Sequence, residues 1–209
     1  MNTPTPEQWA QVWRQVTTVG DPLRVYQELV SRYSELQRHY HNLTHLGECL
    51  SEFDSARQLA KAPLTVELAI WFHDAVYDSH APNNEERSAD LGQQRIMQAG
   101  GGAELGKAVA TLVLATKTHD PARHPDAPLL VDVDLSILGQ PKERFQEYEV
   151  HIRREYEWVP GETFKVKRAE ILERFLARDR IYATDHFFAK YEQQARSNLQ
   201  NSIRSLMRS

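Results

Sequence analysis

Ala69-Ile-Trp-Phe-His-Asp-Ala-Val-Tyr-Asp78 carries a strongly apolar run into an adjacent histidine and aspartate, His73 and Asp74. Core sequence that delivers two such side chains to one place needs a reason, because a buried carboxylate without a partner costs on the order of several kcal/mol. Either the pair neutralises itself locally or a positive group sits beside it. The stretch reads as a helix restarted at Pro63. Adjacent helical residues point about 100° apart, so His73 and Asp74 do not pair with each other in mid-helix. At a helix end both can reach one ion, and the partial negative charge of a helix C-terminus favours a cation there.

Outward from this stretch the same periodicity holds along nearly the whole chain. Thr5-Pro6-Glu7 opens a first helix and Asp21-Pro22 a second, through Leu23, Tyr26, Leu29, Val30 and Tyr33. A third runs from about Asn42 to Leu59. Past the loop His80–Asn84, Glu85–Gln98 is helical and is stopped by Gly100-Gly101-Gly102; Glu104–Ala115 follows, then a polar loop, Thr118–Pro128. Pro141 opens a charged helix to about Tyr156, and Phe164–Leu176 is another. From Asp185, a natural N-cap, to about Leu206 the apolar residues Phe188, Tyr191, Ala195, Leu199 and Ile203 form an amphipathic stripe. The one strand-like piece, Leu129–Leu135 (LLVDVDL), is too isolated to build a sheet. No linker, repeat or low-complexity tract interrupts the pattern. The expectation is an all-α fold in a single domain spanning 1–209.

The chain has 209 residues, 41% hydrophobic and 26% charged, with a formal charge of −4. That charge gives no footprint for a nucleic-acid polymer as partner, although a bound metal can reverse the local sign for a phosphorylated small molecule. Cys49 is the sole cysteine, so no internal disulfide forms, which fits a reducing compartment. No apolar stretch reaches the ~18 residues that span a bilayer, and Met1–Trp13 lacks a basic and an apolar region of signal type. The expected location is the cytoplasm, without membrane partners; a homodimer fits as well.

Two further clusters carry metal-competent groups. In Arg38-His-Tyr-His-Asn-Leu-Thr-His45, His41 and His45 are four apart, a spacing that on a helix puts them on one face about 6 Å apart at Cβ. There is no Glu of the zincin HExxH pattern between them. In Val131-Asp-Val-Asp-Leu135, Asp132 and Asp134 are carried among Leu129, Leu130, Ile137 and Leu138, where a carboxylate has a raised pKa, takes a cation, or caps a turn. The chain order is thus His, His-Asp, Asp. Mixed imidazole and carboxylate ligation suits Mn, Fe, Co, Ni or Zn better than Ca. Cys49, on a helix without an adjacent base, is not placed to be a thiol nucleophile.

These three spaced motifs, over roughly residues 38–138, resemble the HD superfamily of metal-dependent phosphohydrolases, all-α proteins that bind a divalent metal through His, an adjacent His-Asp and a downstream Asp. The resemblance implies His45, His73, Asp74 and Asp134 as ligands, with Asp132 the alternative to Asp134, and Mn, Mg, Fe, Co, Ni or Zn as the ion. Tyr40-His-Asn-Leu-Thr-His45 is similar to a motif of the cyclic nucleotide phosphodiesterases, distant members of the superfamily, which maps His45 to the metal and His41 to a proton donor. The extra His and Asp residues of their two-metal site are not evident. Triphosphohydrolases of the superfamily place a basic residue after the final Asp, where this chain has Leu135. The tail, with Ile152–Phe164 and Tyr191–Leu199, also looks like a group of small bacterial HD proteins.

The implied activity is hydrolysis of a small phosphorylated compound, a nucleotide above all, by metal-activated water that Asp74 also orients. Lys117, His119, Glu85 and Arg38 are the candidates for binding the substrate; alternatively Thr116-Lys-Thr-His-Asp120 is a plain polar loop and Glu85 complements a helix dipole. Arg153 and Arg154 are expected to pair with Glu149 and Glu157. The competing readings are a metal- or nucleotide-binding module without turnover, and an HD-like oxygenase with two irons.

Overall fold

The computed structural model describes residues 3–16, 21–119, 122 and 124–208. Asp120, Pro121 and Arg123 of the expected 118–128 loop lie outside the described residues. Among the described residues there are ten α-helices and no strand: α1 Pro6–Val16, α2 Pro22–Tyr33, α3 Leu43–Ala56, α4 Pro63–Phe72, α5 Asn84–Gln98, α6 Ala103–Thr116, α7 Ala127–Asp134, α8 Lys142–Glu155, α9 Gly161–Leu176 and α10 Asp185–Arg208. The fold is all-α, as the periodicity predicts, and the strand-like Leu129–Leu135 is helix followed by a 3-10 turn, Leu135–Gly139. By its contacts the chain divides into two compact units, Met1–Val131 and Asp132–Ser209; α7 begins in the first and ends in the second.

In the first unit α4 is the central element. Thr65 through Phe72 are all buried, which is what an apolar run without a polar face requires. It packs against α1, α3, α5 and α6. Trp9 and Trp13 of α1 stack with ring centroids 4.7 Å apart, and Trp9 meets Trp71 of α4 edge-on at 5.0 Å. The approach of α5 to α4 is close because Gly92 carries no side chain: a Cβ there would lie 3.1 Å from Phe72 Cγ. The helix starts follow their caps. Asp21 accepts from the Leu23 N–H at 2.9 Å, and Asn42 accepts from Thr44 at 2.9 Å and from His45 at 3.4 Å.

In the second unit α10 lies against α9 and the 3-10 turn. Its buried residues are Phe187, Tyr191, Glu192, Ala195, Asn198 and Leu199, whereas Phe188 is 38% exposed, so the buried stripe enters at Phe187 and not at Phe188. Thr184, not Asp185, caps the helix: its hydroxyl accepts from the Phe187 N–H at 3.4 Å, and Asp185 pairs with Arg180 at 2.9 Å. Asn198 donates to the Leu138 and Gln140 carbonyls at 2.9 and 2.8 Å and fastens α10 to the turn. Arg153 donates to the Tyr156 and Val159 carbonyls, and Glu149 pairs with Arg168, in place of the expected pairing of Arg153 with Glu149.

Candidate metal centre

The His73-Asp74 pair sits where α4 ends. Phe72 is the last helical residue, and the His73 ring turns back so that Nδ1 lies 2.7 Å from the Ile70 carbonyl oxygen. A carbonyl only accepts, so Nδ1 carries the proton, and the ring in its neutral form presents a lone pair at Nε2. That atom is 3.1 Å from Asp74 Oδ2 and 3.1 Å from His45 Nε2. His45 Nε2 is itself 3.5 Å from Asp74 Oδ2.

Three electron-rich atoms thus converge on one point, which is unfavourable unless a proton or a cation lies among them. Two ligands bound at ~2.1 Å and subtending about 95–110° stand ~3.1–3.4 Å apart, so the observed spacings fit donors to a single divalent ion. Fixing of the metal-ligating tautomer by a hydrogen bond from the other ring nitrogen to a backbone carbonyl is what such sites need. His45 and His73 are each 2% exposed, and Asp74 keeps 16% of its side chain open to solvent. Burial alone would push the Asp74 carboxyl up. The charges of His73 and His41 in their protonated forms, and the hydrogen bonds that protonated His45 and His73 donate, outweigh it and hold it well below the ordinary carboxylate range; a cation in place of those protons acts in the same direction.

Cys49 joins this group. One turn after His45 on α3, its Sγ is 3.7 Å from both ring nitrogens of His45, and donor atoms of His45, Cys49 and His73 lie within 4.8 Å of one another. This buried group could hold a metal ion and is compatible with an HD-like motif. Sequence reasoning missed Cys49, although its i, i+4 spacing from His45 was a usable signal.

The backbone that follows Asp74 is pinned from four sides. Tyr33 donates its hydroxyl to the Trp71 carbonyl at 3.3 Å and accepts from the Asp74 N–H at 3.2 Å; burial, then the Asp74 charge, raise its pKa, so the hydroxyl stays protonated. Arg38 donates to the carbonyls of His41, Asp74 and Ala75 and to Glu35. The Ser88 hydroxyl accepts from the Val76 N–H at 3.0 Å and donates to the Val76 carbonyl at 3.2 Å. Asn84 takes up both the N–H and the carbonyl of Asp78.

Arg38, a candidate for substrate binding, is therefore a buried clamp on this turn, with four of its five N–H donors engaged. Lys117 is partly exposed but pairs with Glu86 and donates to the Pro82 carbonyl at 3.0 Å. Glu85, in the first turn of α5, is half-buried; burial raises its pKa and the nearby Asp74 charge raises it further. His119 stands three residues past α6 with φ +48°. His41 stacks on Tyr77 at 4.2 Å, with its ring centroid 6.0 Å from that of His45.

The two aspartates of Val131–Leu135 differ. Asp132 is fully buried and accepts from the Ala183 N–H at 2.8 Å, the Thr184 N–H at 2.7 Å and the Thr184 hydroxyl at 2.6 Å. Its oxygens are committed to that segment, so the alternative of Asp132 as a ligand is replaced by a structural role. Asp134 is the last residue of α7 and is half-buried.

Compared with protein-family models, with curated proteins and with solved structures, the chain shows no significant match. No helix among the described residues is long and apolar enough to cross a membrane.

Proposed function

We propose that the chain is a metal-dependent phosphohydrolase of the HD type, acting on a small phosphorylated compound such as a nucleotide. The observation that carries the reading is the convergence of His45 Nε2, His73 Nε2 and Asp74 Oδ2 at 3.1–3.5 Å, with the His73 tautomer set by the Ile70 carbonyl. His45, His73 and Asp74 hold the divalent ion, and Asp134, carried over from the order of the motifs, is the proposed fourth ligand. A divalent ion so held supplies Lewis acidity toward a phosphoryl oxygen and toward water.

The remaining work belongs to side chains. Asp74, more open than the two histidines, orients the attacking water. His41, stacked on Tyr77 and next to His45, gives a proton to the departing oxygen, a contribution of about 10²–10⁴ in rate. Glu85, in the first turn of α5, Lys117, just after α6, and His119 are the proposed substrate contacts.

The test combines metal analysis with a phosphate-release panel of nucleotides and sugar phosphates. His45→Ala, His73→Ala, Asp74→Ala and Asp134→Ala are expected to lose metal and turnover together; His41→Ala is expected to keep metal and lose turnover. A His73→Ala protein with full metal content and full rate would sink the assignment. Metal bound without turnover on any phosphorylated compound would favour a binding module, and two irons per chain an oxygenase.

A further inference from the structure

We propose that the Cys49 thiolate is a ligand of the same ion, and that it makes the centre selective for zinc-class metals over magnesium and calcium. The inference rests on the reading that His45 and His73 hold a divalent ion, and adds a sulfur donor that the motif resemblance does not contain. Cys49 is 2% exposed, so it is not an accessible thiol of the reactive kind. His45 and Cys49 project from the same face of α3, one turn apart, and the Asn42 cap fixes where that helix starts. The sulfur stands 3.7 Å from His45 Nε2. With a zinc–sulfur bond of ~2.3 Å and a zinc–nitrogen bond of ~2.05 Å, an angle of about 90–120°, the range open to an ion with more than four ligands, puts sulfur and nitrogen ~3.1–3.8 Å apart. The sulfur is 3.7 Å from His45 Nδ1 as well, so it lies beside the ring; turning the His45 and Cys49 side chains with α3 in place brings it to the Nε2 side, where the site closes on sulfur.

Binding converts the thiol to a thiolate: the sulfur–hydrogen bond breaks, a sulfur–metal bond forms, and the proton leaves to solvent, with no change of oxidation state. A thiolate is a soft donor that favours zinc, cobalt(II) or iron over the hard oxygen-seeking cations. Magnesium in particular resists exchange of its water for such a set.

The experiment loads metal-free full-length protein with cobalt(II) alone and records its absorption spectrum. The expected result is one set of visible ligand-field bands together with a near-ultraviolet sulfur-to-cobalt charge-transfer band. Cys49→Ser is expected to keep the ligand-field bands, lose the charge-transfer band, and bind zinc ~10-fold or more weakly, the scale of losing one supporting interaction at a metal site. Ligand-field bands without the charge-transfer band in the unmodified protein would overturn the sulfur ligand and leave the metal centre standing. Failure to bind cobalt at all would overturn both. The unmodified protein decides the question even if the variant does not fold, and zinc X-ray absorption on it gives an independent count of sulfur neighbours, expected to be one; a count of zero overturns the proposal.

Discussion

Arg38→Ala separates a clamp from a substrate contact. The Arg38 side chain is fully buried and serves three backbone carbonyls, two of them in the turn that holds Asp74. A buried carbonyl left without its donor costs ~1–3 kcal/mol, so losing Asp74 and Ala75 alone amounts to ~2–6 kcal/mol. The Glu35 pair adds little, because that carboxylate is 38% exposed. Relief of the buried guanidinium's desolvation acts in the opposite direction. A net loss of ~3 kcal/mol follows, which in a chain of this size lowers the apparent Tm by about 6–12 °C. Arg38→Lys keeps the charge but not the fork, and is expected to lose about half as much. The assay is urea and thermal unfolding by circular dichroism, alongside a zinc titration, where the displaced turn is expected to weaken binding. If Arg38→Ala unfolded like the parent protein, bound zinc equally well and only raised KM for a phosphorylated substrate, the clamp would be wrong and Arg38 would be a substrate contact.

Three other outcomes follow from particular contacts. Burial holds the Asp132 carboxyl above its ordinary value despite the Thr184 and Ala183 donors, so the folded chain binds that proton more tightly than the unfolded one. Its contribution to stability is then largest below about pH 4 and is lost as pH rises through the raised folded value. Asp132→Asn, uncharged throughout, is expected to flatten that decline in urea unfolding between about pH 3 and about pH 7, and an unchanged slope would count against it. Gly139→Ala would bring a Cβ to 2.4 Å from Tyr191 Cβ, an overpacking expected to cost ~1–3 kcal/mol; Gly161→Ala, with nothing within 4 Å, is the control and is expected to be neutral or stabilising in the same denaturation series. Ser88→Ala leaves the Val76 N–H and carbonyl without their partner, so zinc affinity is expected to fall ~10–100-fold with the ligands themselves intact; an unchanged titration would detach Ser88 from the centre.

The helices were legible in the sequence because their signals are local. Proline at Pro22 and Pro63, the Asn42 cap and the 3.6-residue apolar spacing act within one or two turns, and the observed ends of α2, α3 and α4 follow them. The amphipathic face of α10 was placed one residue off at its start, since Phe187 and Phe188 are equally apolar and only the neighbouring α9 and 3-10 turn decide which of them is buried.

The identity of the metal-competent residues was likewise local: a histidine and an aspartate at the end of an apolar run, and a second histidine on a capped helix. What only the tertiary structure decided was which donors meet. His45 and His73 are 28 positions apart and their nitrogens stand 3.1 Å apart, a distance that depends on how α3 packs on α4. Tertiary packing also closed Arg38 in as a clamp on the turn after α4, and within the second unit it committed the Asp132 oxygens to Ala183 and Thr184, whereas Cys49 meets the His45 ring through the local i, i+4 spacing of α3. Donor type is a property of one residue; the direction of its lone pair is set by every element packed around it.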